Sequence, residues 1–307
     1  MTFLSALLPV VFLVGLGHLL ARRGLPGPDG WRAMERLCFT VLFPAMIILV
    51  LSRAPFEQAP WKIAVPLMAA QVILASTGLL ALLWPGISRP AVGSIIQSNS
   101  RWNTFVALSL TGVLFQEEGI ALTSLAAAVM IPMANILSVT ALTHFADSEP
   151  HQKRNPVLEL LRNPLVISCI IGGTLNALNL PPTGLIETTL ELLSQPAITL
   201  GLLAAGAGLN LDALKRAGIL TVVWSLVRLL GMPVVAVMIA HYGFDLTGVP
   251  LVVVAIAAAT PTATNGYIMA RQLGGDYHLM ANLIALETVL AIFTMPAILF
   301  VFGLLPS

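Results

Sequence analysis

The chain has 307 residues, of which 57% are hydrophobic and only 9% charged, and its mean hydropathy is +0.92. That leaves too little polar surface to clothe a water-soluble globule of this size, so lipid must be its solvent. A net charge of +1 excludes the basic footprint of a nucleic-acid binder.

Apolar runs separated by short polar intervals predict ten spanning helices, since a helix needs about 20 apolar residues to cross a bilayer. The first, 2–21, has no basic residue before it and is followed by Arg22 and Arg23. This reverses the charge order of a secretory signal, so the helix is expected to be retained. His18 within it reads as a helix-packing hydrogen bonder. Spans 2 to 5 follow at 32–52, 62–84, 91–114 and 119–145. The largest polar interval, 147–156 with Arg162 beyond it, then divides the chain almost in half. We expect a first repeat over 1–150, a linker over 151–163 and a second repeat over 164–307, whose spans lie at 164–180, 186–208, 216–241, 247–272 and 278–303. Cys38 and Cys169 fall inside apolar runs without ligand spacing and read as packed thiols. The small-residue run Gly201 to Gly208 in span 7 reads as a close-packing face at a helix or subunit contact.

Basic residues set the orientation, because Lys and Arg in short loops stay on the cytoplasmic side. One set of loops holds Arg22, Arg23, Arg32, Arg36, Arg89, Lys153, Arg154, Arg162, Lys215, Arg216 and Arg271; the other holds only Arg53 and Lys62. Both termini are therefore expected outside a bacterial inner membrane, with the central loop in the cytoplasm. Five spans per half then make the halves inverted repeats. Phe43-Pro44-Ala45 in span 2 echoes Gln195-Pro196-Ala197 in span 7, Asn103 in span 4 echoes Asn265 in span 9, and Pro132 in span 5 echoes Pro296 in span 10.

Span 4 is interrupted by the polar run Gln97 to Asn103, and span 9 by Ala259-Thr-Pro-Thr-Ala-Thr-Asn-Gly266. Pro261 removes a backbone donor and Gly266 lets another backbone approach. Polar, broken backbone survives at membrane depth only where it faces protein or a wet cavity. Two such breaks present half-helix N-termini and side-chain amides to an anion. The simpler reading is that these groups tie helices together.

Residues 101–108 and 259–266 resemble the auxin efflux carrier family, which includes plant auxin exporters and bacterial carriers of malonate and similar acids. The resemblance extends over essentially the whole chain, Pro44 included. It implies an all-α membrane fold like that of sodium/proton antiporters and bile-acid transporters, with spans 4 and 9 crossing. Spans 1, 2, 6 and 7 would form a scaffold, often dimeric, and spans 3–5 and 8–10 an elevator. Asn103 and Asn265 match the family's crossover asparagines and inherit a substrate-binding expectation. The long central loop of the plant carriers is missing, so its phosphorylation control does not transfer.

The ionisable groups well inside spans are Arg101, Arg228 and Glu287, each costing about 2.5–3.5 kcal/mol or more at the bilayer centre. A Glu287–Arg228 ion pair would leave Arg101 to fork onto a carboxylate. Arg101 pairing with Glu287, or Glu287 carrying a proton, are the other possibilities. The substrate site is expected at Arg101, Asn103, Asn265, Asn99, Thr264 and Pro261, with a small organic anion and the lipid bilayer as partners. Neither span 4, 5 nor 9 has an acid in its core, which disfavours a cation antiporter. A sodium-coupled carrier of larger amphipathic anions, with Gln71, Gln97, Asn135 and Asn282 as oxygen donors, stays open. No HExxH, no Ser/His/Asp spacing and no paired carboxylates appear, so neither an enzyme nor a metal or cofactor is expected.

Overall fold

A computed structural model describes residues 3–54, 60–146, 163–209 and 217–304. The central linker 147–162 and its basic residues Lys153, Arg154 and Arg162 lie outside the described residues, as do Lys215 and Arg216. Every regular element described is helical: α1 (Phe3–Arg22), α2 (Pro28–Arg53), α3 (Trp61–Leu83), α4 (Arg89–Ser100), α5 (Thr104–Phe145), α6 (Pro164–Ala177), α7 (Gly184–Ala207), α8 (Ile219–Gly243), α9 (Gly248–Ala259), α10 (Gly266–Leu273) and α11 (Tyr277–Val301). Among the described residues, six stretches are long and apolar enough to cross a bilayer, and three apolar segments are shorter. One of the six, Arg89–Phe145, runs 57 residues. It is too long for one crossing and carries two interruptions, the break between α4 and α5 and a non-helical Gln116 (φ 51°, ψ −132°) within α5.

Local chemistry sets the deformations. Pro44 and Pro233 lack an N–H, and each follows a widened π-turn, at Cys38–Leu42 in α2 and at Val227–Gly231 in α8. In α7 the helix is interrupted at Gln195-Pro196, the counterpart of Phe43-Pro44. Thus both prolines paired in the sequence deform the helix that carries them.

The small-residue face of α7 packs on α1. A Cβ on Gly206 would fall 1.9 Å from the Val14 carbonyl oxygen, and one on Gly17 would fall 2.1 Å from that of Leu203. Backbone thus meets backbone in both directions, as small residues permit in membrane helix pairs. Gly172 of α6 packs on α2 less tightly, a Cβ there falling 2.9 Å from Leu51 Cβ and 3.2 Å from Ile48 Cα. Asn176 donates to the carbonyls of Ser52 and Ala54 at the end of α2, and Arg53 forms ion pairs with Glu187 and Glu191 of α7. These contacts join α1, α2, α6 and α7 to one another. Phe43 of α2 then stacks on Phe105 of α5, centroids 4.8 Å apart, over the bare backbone of Gly201.

The helices that end at the breaks are enclosed instead. Residues 91–100 of α4 and 250–259 of α9 are buried on every face. That all-round burial of α9 follows from a sequence, GVPLVVVAIAAA, with no polar stripe.

Gly206→Ala should force α1 away from α7 and cost roughly 1–3 kcal/mol. The check is thermal unfolding of the purified protein in detergent; an unchanged midpoint would contradict the backbone contact.

Candidate substrate site at the two helix breaks

Helix α4 ends at Ser100, residues 101–103 are extended or irregular, and α5 starts at Thr104. Helix α9 ends at Ala259, and α10 starts at Gly266 after the stretch 260–265. The two interruptions expected from the sequence are therefore present, and they touch. Ser98 Oγ lies 3.1 Å from Thr262 Oγ1, the Thr262 hydroxyl donates to the Ser98 carbonyl at 2.9 Å, and the Asn103 N–H donates to Thr260 Oγ1 at 3.3 Å. Gln97 Nε2 donates to the Gly266 carbonyl at 3.2 Å. A Cβ on Gly266 would fall 2.5 Å from Met280 Cε, which would have to shift, and at ordinary contact distance, 3.7 Å, from Arg101 Cδ and Gln97 Nε2.

Broken helices strand backbone groups that must find partners inside the protein. The Ala257 carbonyl, whose helical donor Pro261 lacks, accepts from Thr260 Oγ1 at 2.9 Å. The Ser100 carbonyl accepts from Gln71 Nε2 at 2.8 Å. Arg228 serves both breaks at once: Nε and Nη2 donate to the Arg101 carbonyl at 3.2 and 2.9 Å, and Nη1 donates to the Ala258 carbonyl at 2.7 Å. Its guanidinium, 0% exposed, thus sits at the carbonyl ends of two half-helices, where a cation is electrostatically favoured.

Glu287, also 0% exposed, does the complementary work. Its Oε1 accepts from Ser98 Oγ at 2.6 Å and its Oε2 from the Thr262 N–H at 2.9 Å. The expected Glu287–Arg228 ion pair is not formed. The two opposite charges act on each other through the protein, but each is hydrogen-bonded to the breaks instead. The physical reason is supply: stranded carbonyls and N–H groups at the breaks offer closer partners than a second side chain.

Arg101 is the first residue past α4 and is buried. Its Nη2 donates to Asn265 Oδ1 at 2.8 Å, and its Nη1 donates to Asn135 Oδ1 at 3.3 Å and Met269 Sδ at 3.4 Å. These three partners carry no charge. Asn103 and Asn265 both occupy the N-cap position of the helix that follows, yet they differ. Asn103 Oδ1 caps α5 by accepting the Val106 N–H at 3.2 Å, whereas Asn265 makes no side-chain cap and gives its oxygen to Arg101. Neither side-chain NH2 group is hydrogen-bonded within the described residues. Asn265 is exposed, so the junction has an open edge at this residue.

Of the other expected site residues, Pro261 is buried in the second break, and Thr264 is half-buried with its methyl group facing Gly208 of α7. Asn99 lies inside the last turn of α4, where its NH2 group donates to Leu74 O at 3.0 Å and weakly to Thr77 Oγ1, while its buried Oδ1 meets no donor among the described residues. Glu287 at the breaks was not foreseen, since it arrives from α11 rather than from spans 4 or 9.

With this geometry in hand, comparison with known proteins is decisive. A family model described as membrane transport protein matches residues 2–299. The chain belongs to the auxin efflux carrier family. It is a multi-pass membrane transporter, not an enzyme. It is similar to an uncharacterized transporter of Methanothermobacter thermautotrophicus, 24% identical over 95% of this chain and 96% of that protein. It is also similar to a Rhizobium meliloti protein named "Putative malonate transporter", 25% identical over 98% of this chain and 96% of the relative.

Arg228→Met should leave the Arg101 and Ala258 carbonyls without a donor and Glu287 without its opposite charge, a loss of about 3 kcal/mol or more. Arg228→Lys, with one compact ammonium in place of the fork, should recover only part of it. Unfolding midpoints of the two variants in detergent provide the comparison, and a wild-type midpoint for Arg228→Met would refute the bracing role.

Proposed function

We propose that the chain is a secondary transporter of a small organic anion, a malonate-like dicarboxylate or an auxin-like aromatic acid, which it binds at Arg101, Asn103 and Asn265. The observation that carries this reading is the Arg101 guanidinium at the junction of the two breaks, hydrogen-bonded to Asn265 across it. A carboxylate can take the place of the Asn265 oxygen and form two charge-assisted hydrogen bonds to the same fork. The open NH2 groups of Asn103 and Asn265 are donors of the kind a carboxylate needs, and the N-termini of α5 and α10 add favourable partial charge. The name of the Rhizobium meliloti relative points to the same class of cargo.

The architecture we infer is ten spans in two inverted five-helix repeats, with the fourth and ninth crossing at their breaks. Support comes from the matched prolines, the matched N-cap asparagines, and the equivalent work of Gln71 on α3 and Arg228 on α8, which each donate to carbonyls at the break of their own half. Spans 1, 2, 6 and 7 form the scaffold in this reading, through the glycine contacts described above, and make the homodimer. Spans 3–5 and 8–10 move as the elevator. The basic-residue asymmetry supports an inner-membrane location with both termini outside. A second reading, sodium-coupled uptake of larger amphipathic anions, draws on the buried amide oxygens of Gln71 and Gln97, which meet no protein donor.

The test is uptake by the purified protein in liposomes, offered a panel of mono- and dicarboxylates with and without a sodium gradient. Malonate or a close analogue should be taken up without sodium, and Arg101→Ala combined with Asn103→Ala should weaken binding about 30-fold or more. Full-strength binding by the folded double variant rejects the site, and strict dependence on sodium selects the second reading.

A further inference from the structure

Arg228 and Glu287 hold the same pair of breaks, but only the carboxylate can take up a proton and keep a hydrogen-bond partner on each of its oxygens. We propose that Glu287 is the proton site of transport, and that its proton is carried together with the anion bound at Arg101, making the protein an anion–proton symporter. This deepens the reading of Arg101 given above and rests on it.

The hydrogen-bond network at Glu287 is built for two protonation states. With the carboxylate ionised, the Ser98 hydroxyl donates to Oε1 at 2.6 Å and the Thr262 N–H to Oε2 at 2.9 Å. The Thr262 hydroxyl spends its hydrogen on the Ser98 carbonyl at 2.9 Å. The 3.1 Å contact between Ser98 Oγ and Thr262 Oγ1 then holds no hydrogen. A proton arriving from the aqueous phase forms an O–H bond on Oε1, which donates to Ser98 Oγ. The Ser98 hydrogen turns along the 3.1 Å contact onto Thr262 Oγ1, while Oε2 keeps the Thr262 N–H. Each donor finds an acceptor in both states, and no heavy atom needs to move. A carboxylate that always stayed ionised would have no use for the spare hydroxyl contact.

The surroundings supply the coupling. The charge that acts on Glu287 is Arg228 of α8. Among the other helices packed on α11, α9 has no ionisable side chain, α4 has Arg89 at its first residue, α10 has Tyr267 and Arg271, and α1 has His18 and Arg22; His241 and Tyr242 lie at the far end of α8. None of these is hydrogen-bonded to the carboxylate. Glu287 grips residues 98 and 262, and Arg101 grips residue 265, so the anion and proton sites share both backbone segments, three residues apart on each. A dicarboxylate adds negative charge to this buried junction, and a proton on Glu287 offsets part of it where dielectric screening is weak. Binding of the two is then mutually favourable, and the linkage is reciprocal.

The experiment adds malonate, at matched pH and where it is a dianion, to the purified protein in weakly buffered detergent solution with a pH indicator, with binding followed separately by calorimetry. Wild type should take up about one proton per malonate bound, and its affinity should tighten by as much as roughly tenfold per pH unit of acidification. Glu287→Gln keeps the shape of the protonated group; it should bind malonate with an affinity independent of pH and take up no proton. Malonate binding to wild type without proton uptake overturns the inference even where the variant does not fold, and so does undiminished uptake by a folded Glu287→Gln. Absence of any malonate binding isotherm instead rejects the Arg101 reading on which the inference stands.

Discussion

The constraint on which the rest of the structure depends is the hydrogen bonding of unwound backbone far from water. A helix satisfies its own N–H and C=O groups; a helix stopped halfway across a bilayer strands several of each, at a cost of several kcal/mol apiece if they meet only hydrocarbon. Two helices stopped at the same place double the problem. The answer here is that they are solved jointly. Arg228 places one guanidinium on carbonyls of both breaks, and Glu287 places one carboxylate on donors of both. Thr260, Thr262, Gln71 and Gln97 donate to four further carbonyls there, those of Ala257, Ser98, Ser100 and Gly266. A site so closed by its own hydrogen bonds has a fixed geometry, and that fixes where Arg101 stands.

The same hydrogen bonds explain why the chain tolerates Arg228 and Glu287 in its interior. A buried ion pair commonly fails to recover the desolvation of its two members. Arg228 and Glu287 recover theirs from partial charges that the breaks would otherwise leave unmet, so the break and the charge each remove the other's penalty. Neither feature makes physical sense alone. The enclosure of α4 and α9 on all faces follows from the same logic, since a break exposed to lipid could not have been repaired by side chains from α3, α8 and α11.

Much of this was legible in the sequence, and the parts that were not share a cause. The breaks could be read because their signals are local: Pro261 and Gly266 disturb any helix, and an arginine ten residues into an apolar run has nowhere inexpensive to lie. Pro44 and Pro196 read in the sequence only as an echo between the halves; the helix deformations beside them come from the structure. Glu287 could be flagged as buried but not placed, because its partner Ser98 is 189 residues away and nothing in either neighbourhood names the other. The Arg228–Glu287 pairing was inferred from charge balance alone, which counts side chains and overlooks backbone carbonyls. Which helix each polar residue of span 4 would meet was not legible either, because residues one or two apart on a helix point to different faces: the Asn99 amide donates to α3 while Gln97 reaches across to Gly266.

The inequality of the two asparagines carries the argument furthest. Matched positions in two halves would be expected to do matched work, and as N-caps Asn103 and Asn265 begin the same way. Yet only Asn103 caps its helix, because the oxygen of Asn265 is drawn off by Arg101, for which the second half has alanine at the matched position, Ala263. The arginine therefore leaves the start of α10 without a side-chain cap. An anion that displaces Asn265 from Arg101 would free that oxygen to turn back onto its own helix. One amide oxygen thus has two competing uses, as acceptor for Arg101 and as cap of α10, and only the first is made.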